Sequence, residues 1–166
     1  MASLFKYLDM EKLKFDFEYT KYSSLSELDP VRRNLVEMAV EAAKKAYVPY
    51  SNFHVGAAVL LEDDKIYSGN NQENASYPVG ICAERTLLSF VHANHPELKK
   101  MILAVTVLDT DLDASPCGMC RQTIMEYESA QAQAIEILLH NRSGSILSIP
   151  SGAALLPLHF DSESLN

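Results

Sequence analysis

Cys82, Cys117 and Cys120 are all of the cysteines in this 166-residue chain. An odd number with two members three residues apart suits a thiolate metal site better than a disulfide scaffold. Each lies where a helical segment is expected to start: Cys82 opens one, Cys117 and Cys120 another. Free backbone N–H groups and the positive end of a helix lower a thiol pKa, and deprotonated sulfur is what zinc binds. Structural zinc normally takes four protein ligands, whereas three ligands and a water make the catalytic arrangement. Glu84 follows Cys82 by two residues, close to such a metal without needing to bind it. A carboxylate there can take a proton from water and pass it to a substrate. Taken alone, Glu84 reads first as a first-turn carboxylate stabilising a helix dipole, and it is the neighbouring cysteines that turn the reading toward proton transfer.

The elements that must position these side chains are legible from periodicity. Leu13, Phe15, Phe17 and Tyr19 alternate with Lys14, Asp16 and Glu18, which predicts a strand. Asp29 and Pro30 make an N-cap and first helical residue, and Leu35, Val36, Ala39, Val40 and Ala43 carry that helix to Ala46 or Tyr47. Pro49 ends it. Phe53 to Leu61 reads as a buried strand, Asp63 and Asp64 as a turn, and Lys65 to Gly69 as the returning strand of a hairpin. A polar loop from Asn70 to Gly80 precedes a second helix from Ile81 to about Asn94, a buried strand from Met101 to Leu108, and a third helix from Cys117 to about Ser129. Ala134 to His140 and Ile146 to Ile149 are two further strands around a turn at Asn141 to Ser145. Strands separated by helices predict α/β layers with at least part of the sheet parallel.

Composition excludes several classes. Residues 1–50 carry 8 basic and 8 acidic side chains, residues 51–166 carry 6 and 14, and the whole chain has a formal net charge of -8. Such a surface repels a phosphate backbone, so no nucleic-acid partner is expected. No apolar run approaches the roughly 18 residues of a membrane span, which predicts a cytoplasmic protein with no membrane partner. His92 and His95, three apart, could bind a metal but read more simply as surface residues near a helix C-terminus, His54 reads as a core or interface residue, His140 and His159 have no partner pattern, and none enters the zinc site. The acidic stretch with Asp109, Asp111 and Asp113 lacks the glycine and distal glutamate of an EF-hand and reads as a solvated loop.

Cys82-Ala83-Glu84-Arg85 followed by Pro116-Cys117-Gly118-Met119-Cys120-Arg121-Gln122 resembles the small, three-cysteine, zinc-dependent cytidine deaminases. The likeness continues through Pro49-Tyr50-Ser51-Asn52-Phe53, Val55-Gly56-Ala57-Ala58, Glu73-Asn74-Ala75, Tyr77-Pro78, Leu155-Leu156-Pro157 and Phe160, spanning roughly residues 30–160. The resemblance implies a three-layer α/β/α fold with a central mixed five-stranded sheet, to which an N-terminal extension is expected to add a strand. It implies one catalytic domain over residues 30–166; residues 1–29 lie beyond it, and there the apolar face of Leu13, Phe15, Phe17 and Tyr19 predicts an edge strand or a clasp on a neighbour.

The implied chemistry is hydrolytic deamination of free cytidine and deoxycytidine, with release of ammonia, in pyrimidine salvage. One zinc ion per subunit, held by Cys82, Cys117 and Cys120, would supply a hydroxide for attack at C4, with Glu84 as the proton shuttle. Asn71 and Glu73 fall on the ribose hydroxyls, Phe53 against the base, and the Ala83 N–H on the pyrimidine carbonyl. Phe160 reaches a neighbouring subunit's site in an expected homotetramer, and Tyr77 lies in the loop that helps build such shared sites. Three thiolates over-neutralise zinc by one charge, so Arg85 is expected to draw charge from a bound sulfur, with Gln122 as a further partner. Two alternatives differ in what they do with the site: a deaminase of a modified cytosine nucleoside, or a non-catalytic zinc-binding homologue. A polynucleotide deaminase would want a basic groove and stacking aromatics, and this chain has no Trp and an acidic second part.

Overall fold

The strand Val55–Leu61 (β2) is apolar on both of its faces, and a strand of that kind is stable only between two layers. The computed structural model, which describes residues 11–165, places it so. In chain order the elements are β1 (Thr20–Tyr22), α1 (Pro30–Ala43), β2, β3 (Ile66–Asn70), α2 (Ala83–Asn94), β4 (Lys100–Val107), α3 (Gly118–Gln131), β5 (Glu136–His140), β6 (Ile146–Ile149) and α4 (Gly152–Leu155). Short 3-10 turns lie at Leu25–Glu27, Tyr77–Val79 and Ser162–Leu165.

The strands form one mixed sheet in the order β1-β6-β5-β4-β2-β3. Among the strands of the described residues only β4 and β5 run parallel, with α3 as their crossover; the other strand pairs are antiparallel. Side-chain alternation divides the core in two. Ala58, Ile102, Ala104, Leu138 and Ile146 meet Leu35, Val36 and Ala39 of α1 on one face. Val59, Leu103, Val105, Ile137 and Leu139 meet Leu87, Leu88 and Val91 of α2, Ile124 of α3 and Leu155 on the other. The result is an α/β/α sandwich. Gly56 lets α1 lie directly on β2, since a Cβ there would stand 2.0 Å from the Ala39 carbonyl oxygen.

Several boundaries differ from the sequence expectation. The alternating stretch Leu13–Tyr19 is not a strand; pairing begins only at Thr20, opposite Ser148. β6 ends at Ile149 and Pro150 follows, with no N–H to continue a ladder, so the alternation runs past the end of its partner. α1 stops at Ala43, short of Ala46, and α4 lies where the sequence predicts no helix. Its four residues are too few to show a period; its N-cap is Ser151, whose hydroxyl accepts from the Ala154 N–H at 3.1 Å.

Candidate metal and substrate site

Cys82 is the N-cap of α2, Cys117 is the N-cap of α3, and Cys120 lies in the first turn of α3. The start of α2 is fixed by a bridge in which Gln72 and Ile81 exchange N–H···O bonds of 2.9 Å. The start of α3 is fixed by Arg121, whose Nε donates to the Pro116 carbonyl at 2.8 Å and whose Nη1 donates to that of Leu155 at 2.9 Å. The Sγ atoms are 3.9 Å apart between Cys82 and Cys117 and 3.5 Å between Cys117 and Cys120, and all three lie within 4.8 Å of one another. Zinc–sulfur bonds of about 2.3 Å at tetrahedral angles require sulfurs about 3.8 Å apart, so the three thiols fit this metal as they stand.

The electrostatics favour a thiolate here. Hydrogen bonds from Cys120 and Cys117, with the Arg85 charge nearby, bring the Cys82 thiol down to about 6 against an opposing effect of burial. Cys120, buried and facing the Cys82 sulfur, is pushed upward. Glu84 is only 4% exposed, and burial raises its carboxyl above the ordinary carboxylate range.

A cavity of about 260 Å³ opens beside the sulfurs. Cys82, Cys117 and Glu84 line it together with Phe53, Asn71, the valines Val55, Val105 and Val107, and the loop Ala114-Ser115-Pro116. Asn71 shapes its rim: Oδ1 accepts from the Val55 N–H and Nδ2 donates to the Phe53 carbonyl, both at 2.9 Å. Glu73 does not line this cavity; it faces a separate pocket of about 330 Å³ with Tyr50, Ser51 and Tyr77. Its Oε2 accepts from the Tyr50 and Ser51 N–H groups, and hydrogen bonds from these residues hold its carboxyl below the usual range.

The structure therefore brings five of the expected residues around one cavity: Phe53, Asn71, Cys82, Glu84 and Cys117. Cys120 is buried behind it, and Ala83 is the buried first residue of α2. Arg85 stands in the first turn of α2, within electrostatic reach of the Cys82 sulfur. Gln122 Nε2 donates to the Phe160 carbonyl at 2.8 Å, tying the C-terminal segment to α3. The Phe160 ring is 59% exposed and does not line this chain's own cavity. Val105, Val107, Ala114 and Ser115 were missed as cavity walls; β4 reads as core, and the loop residues have no chemistry to mark them. The acidic loop is braced: Asp111 pairs with Arg142, Asp113 with Lys21, and Asp109 with His54.

Comparisons with known proteins agree with this geometry. The family model described as cytidine and deoxycytidylate deaminase zinc-binding region matches residues 30–135. A cytidine deaminase of Halalkalibacterium halodurans is 40% identical over 136 residues, covering 81% of this chain and 98% of its own. One from Sporosarcina psychrophila is 40% identical over 132 residues, covering 80% and 93%. The crystal structure of cytidine deaminase from Burkholderia pseudomallei superposes with a TM-score of 0.69 at 40% identity, over 76% of this chain and 97% of that one.

Proposed function

The chain belongs to the zinc-dependent cytidine and deoxycytidylate deaminases, and on that premise we propose that it hydrolyses the C4 amino group of free cytidine and deoxycytidine, releasing ammonia, in pyrimidine salvage. The observation that carries this reading is a buried carboxyl, Glu84, opening with Cys82 and Cys117 onto one small cavity. Cys82, Cys117 and Cys120 hold one zinc ion, which when bound supplies Lewis-acid activation of water for attack at C4. Glu84 carries the proton, first to the pyrimidine N3 and then to the departing amino group. Its burial raises the proton affinity of the carboxyl and keeps bulk water away, which suits a group that must both accept and donate.

Asn71 and Glu73 orient the ribose, and their geometry gives each a defined direction. Glu73 is held ionised and accepts from a sugar hydroxyl, while Asn71 keeps its amide fixed against the Phe53 and Val55 backbone. Phe53 packs on the base, and the Ala83 N–H at the start of α2 binds the pyrimidine carbonyl. Arg85 draws charge from the Cys82 sulfur, and Gln122 sets the C-terminal segment in place through Phe160. Residues 30–166 act as the catalytic domain of a cytoplasmic homotetramer in which Phe160 of the partner subunit completes the site. Among the described residues no helix is long and apolar enough to cross a membrane.

The test is to follow ultraviolet absorbance and ammonia release with cytidine, beside Glu84→Gln, with zinc measured in both. The reading expects turnover by wild type, a loss of about a hundredfold or more in the variant, and equal zinc. Zinc-loaded wild type that turns over neither cytidine nor deoxycytidine overturns it.

A further inference from the structure

The N-terminal segment leaves the sheet as an arm. Among the described residues, strand pairing begins at Thr20 and no turn or loop backbone hydrogen bond involves residues 11–19. Its apolar side chains are open: Leu13 is 84% exposed, Phe15 55%, Phe17 40% and Tyr19 57%. They lie along one side, with ring centroids 6.4 Å apart between Phe15 and Phe17 and 6.0 Å between Phe17 and Tyr19. β1, which the arm continues, is the edge of the sheet. The family match begins only at residue 30, so this segment lies outside the matched deaminase region. An extended stretch with unpaired N–H and C=O groups and an apolar face is a template for another strand.

The charges specify which strand. Directly opposed residues of an antiparallel pair share a face, so a strand that pairs with its own copy must match its sequence read backwards. Centred on Phe15, residues 12–18 do so: Leu13 opposes Phe17 and Phe15 opposes itself on the apolar face, while beyond them Glu11 falls opposite Tyr19. On the other face Lys14 opposes Asp16 and Lys12 opposes Glu18, each twice, with no like charges opposed. Within one arm Lys14 already lies 2.8 Å from Asp16, so pairing converts an exposed contact into a ladder of alternating charge. Shifting the register by one residue sets apolar against charged side chains throughout.

We propose that two copies of this protein join through their arms, pairing antiparallel about Phe15. The arm is then an interaction surface for a second copy, formed where the sheet's own pairing stops at Pro150.

Cysteine cross-linking of the full-length, zinc-loaded protein tests both the partner and the register. Phe15→Cys places two thiols on the two-fold axis, and mild oxidation is expected to link most chains through a disulfide between the two introduced thiols, identifiable as a cross-linked peptide by mass spectrometry. Leu13→Cys, whose copy lies four residues along, is expected to link little. In the Phe15→Cys background, adding Lys14→Asp turns two attractive pairs repulsive and should lower the linked fraction by roughly fivefold, and adding Asp16→Lys as well should restore it. The proposal is overturned if Phe15→Cys stays unlinked while zinc content and secondary structure match wild type. It is equally overturned if Leu13→Cys links as readily as Phe15→Cys, or if the charge changes leave the yield unaltered.

Discussion

The starts of α1, α2 and α3 share one backbone conformation and put it to two uses. The N-cap residues Asp29, Cys82 and Cys117 have φ of -61, -69 and -66° and ψ of 163, 155 and 166°. Asp29 accepts from the Val31 and Arg32 N–H groups at 2.9 and 3.0 Å. Neither cysteine makes a capping bond. A capping side chain contributes about 1 kcal/mol, so α2 and α3 each forgo that stabilisation. Their positive ends and uncapped N–H groups are left facing sulfur. Local stability is thus given up at the two helix starts where the three sulfurs cluster, and kept at the one where no sulfur lies.

Removing a sulfur should separate the two uses most sharply. Cys117→Ser is expected to lose zinc on dialysis against a chelator and to lose at least roughly a hundredfold in turnover, more than loss of a supporting partner to a ligand typically costs. Retained zinc and rate would make the start of α3 an ordinary helix start. The converse effect is smaller. In metal-free protein Cys82→Ser puts a capping hydroxyl where the thiol stood, and its Tm should rise about 2–4 °C above that of metal-free wild type. A drop in Tm would mean that the thiol was stabilising the fold even without metal.

At α1 the same exchange runs the other way. Asp29→Ala should lower Tm by about 2–4 °C and leave kcat unchanged. Hydrogen bonds from Arg32 hold the Asp29 carboxyl below its ordinary value of 3.8. A depressed carboxyl stabilises fully above its unfolded pKa and loses that contribution as pH falls through the folded one. The Tm gap between wild type and Asp29→Ala should therefore be constant above pH 3.8 and close below it. A gap that persisted in stronger acid would show that the cap acts through something other than its charge.

The site was unevenly legible. Three cysteines and a glutamate at helix starts declare themselves, because capping position, sulfur chemistry and spacing are all local. The cavity walls do not. Val105 and Val107 look like any core strand, and Ala114 and Ser115 matter only because α3's start turns the loop toward β2 and β4. Asn71 was expected to face a sugar, and the structure adds that both ends of its amide are also bonded to the β2 entrance, which no spacing rule reveals. The arm shows the opposite failure. Leu13 to Tyr19 has clear strand alternation, yet a strand forms only where another offers hydrogen bonds, and Pro150 removes that offer.

By itself the sequence determined the order of β2 to β6 and of α1 to α3, the helix starts that carry sulfur, and the carboxyl set beside them. Those features follow from periodicity, caps and residue chemistry within short windows. The tertiary structure alone decided that β4 and β5 lie parallel with α3 crossing between them. That crossover brings the Cys82 and Cys117 sulfurs, 35 residues apart in the chain, to within 3.9 Å. It also decided where β1 stops pairing. Both depend on which distant backbone groups remain free to bond, and a strand's own residues do not encode its partner's supply of hydrogen bonds.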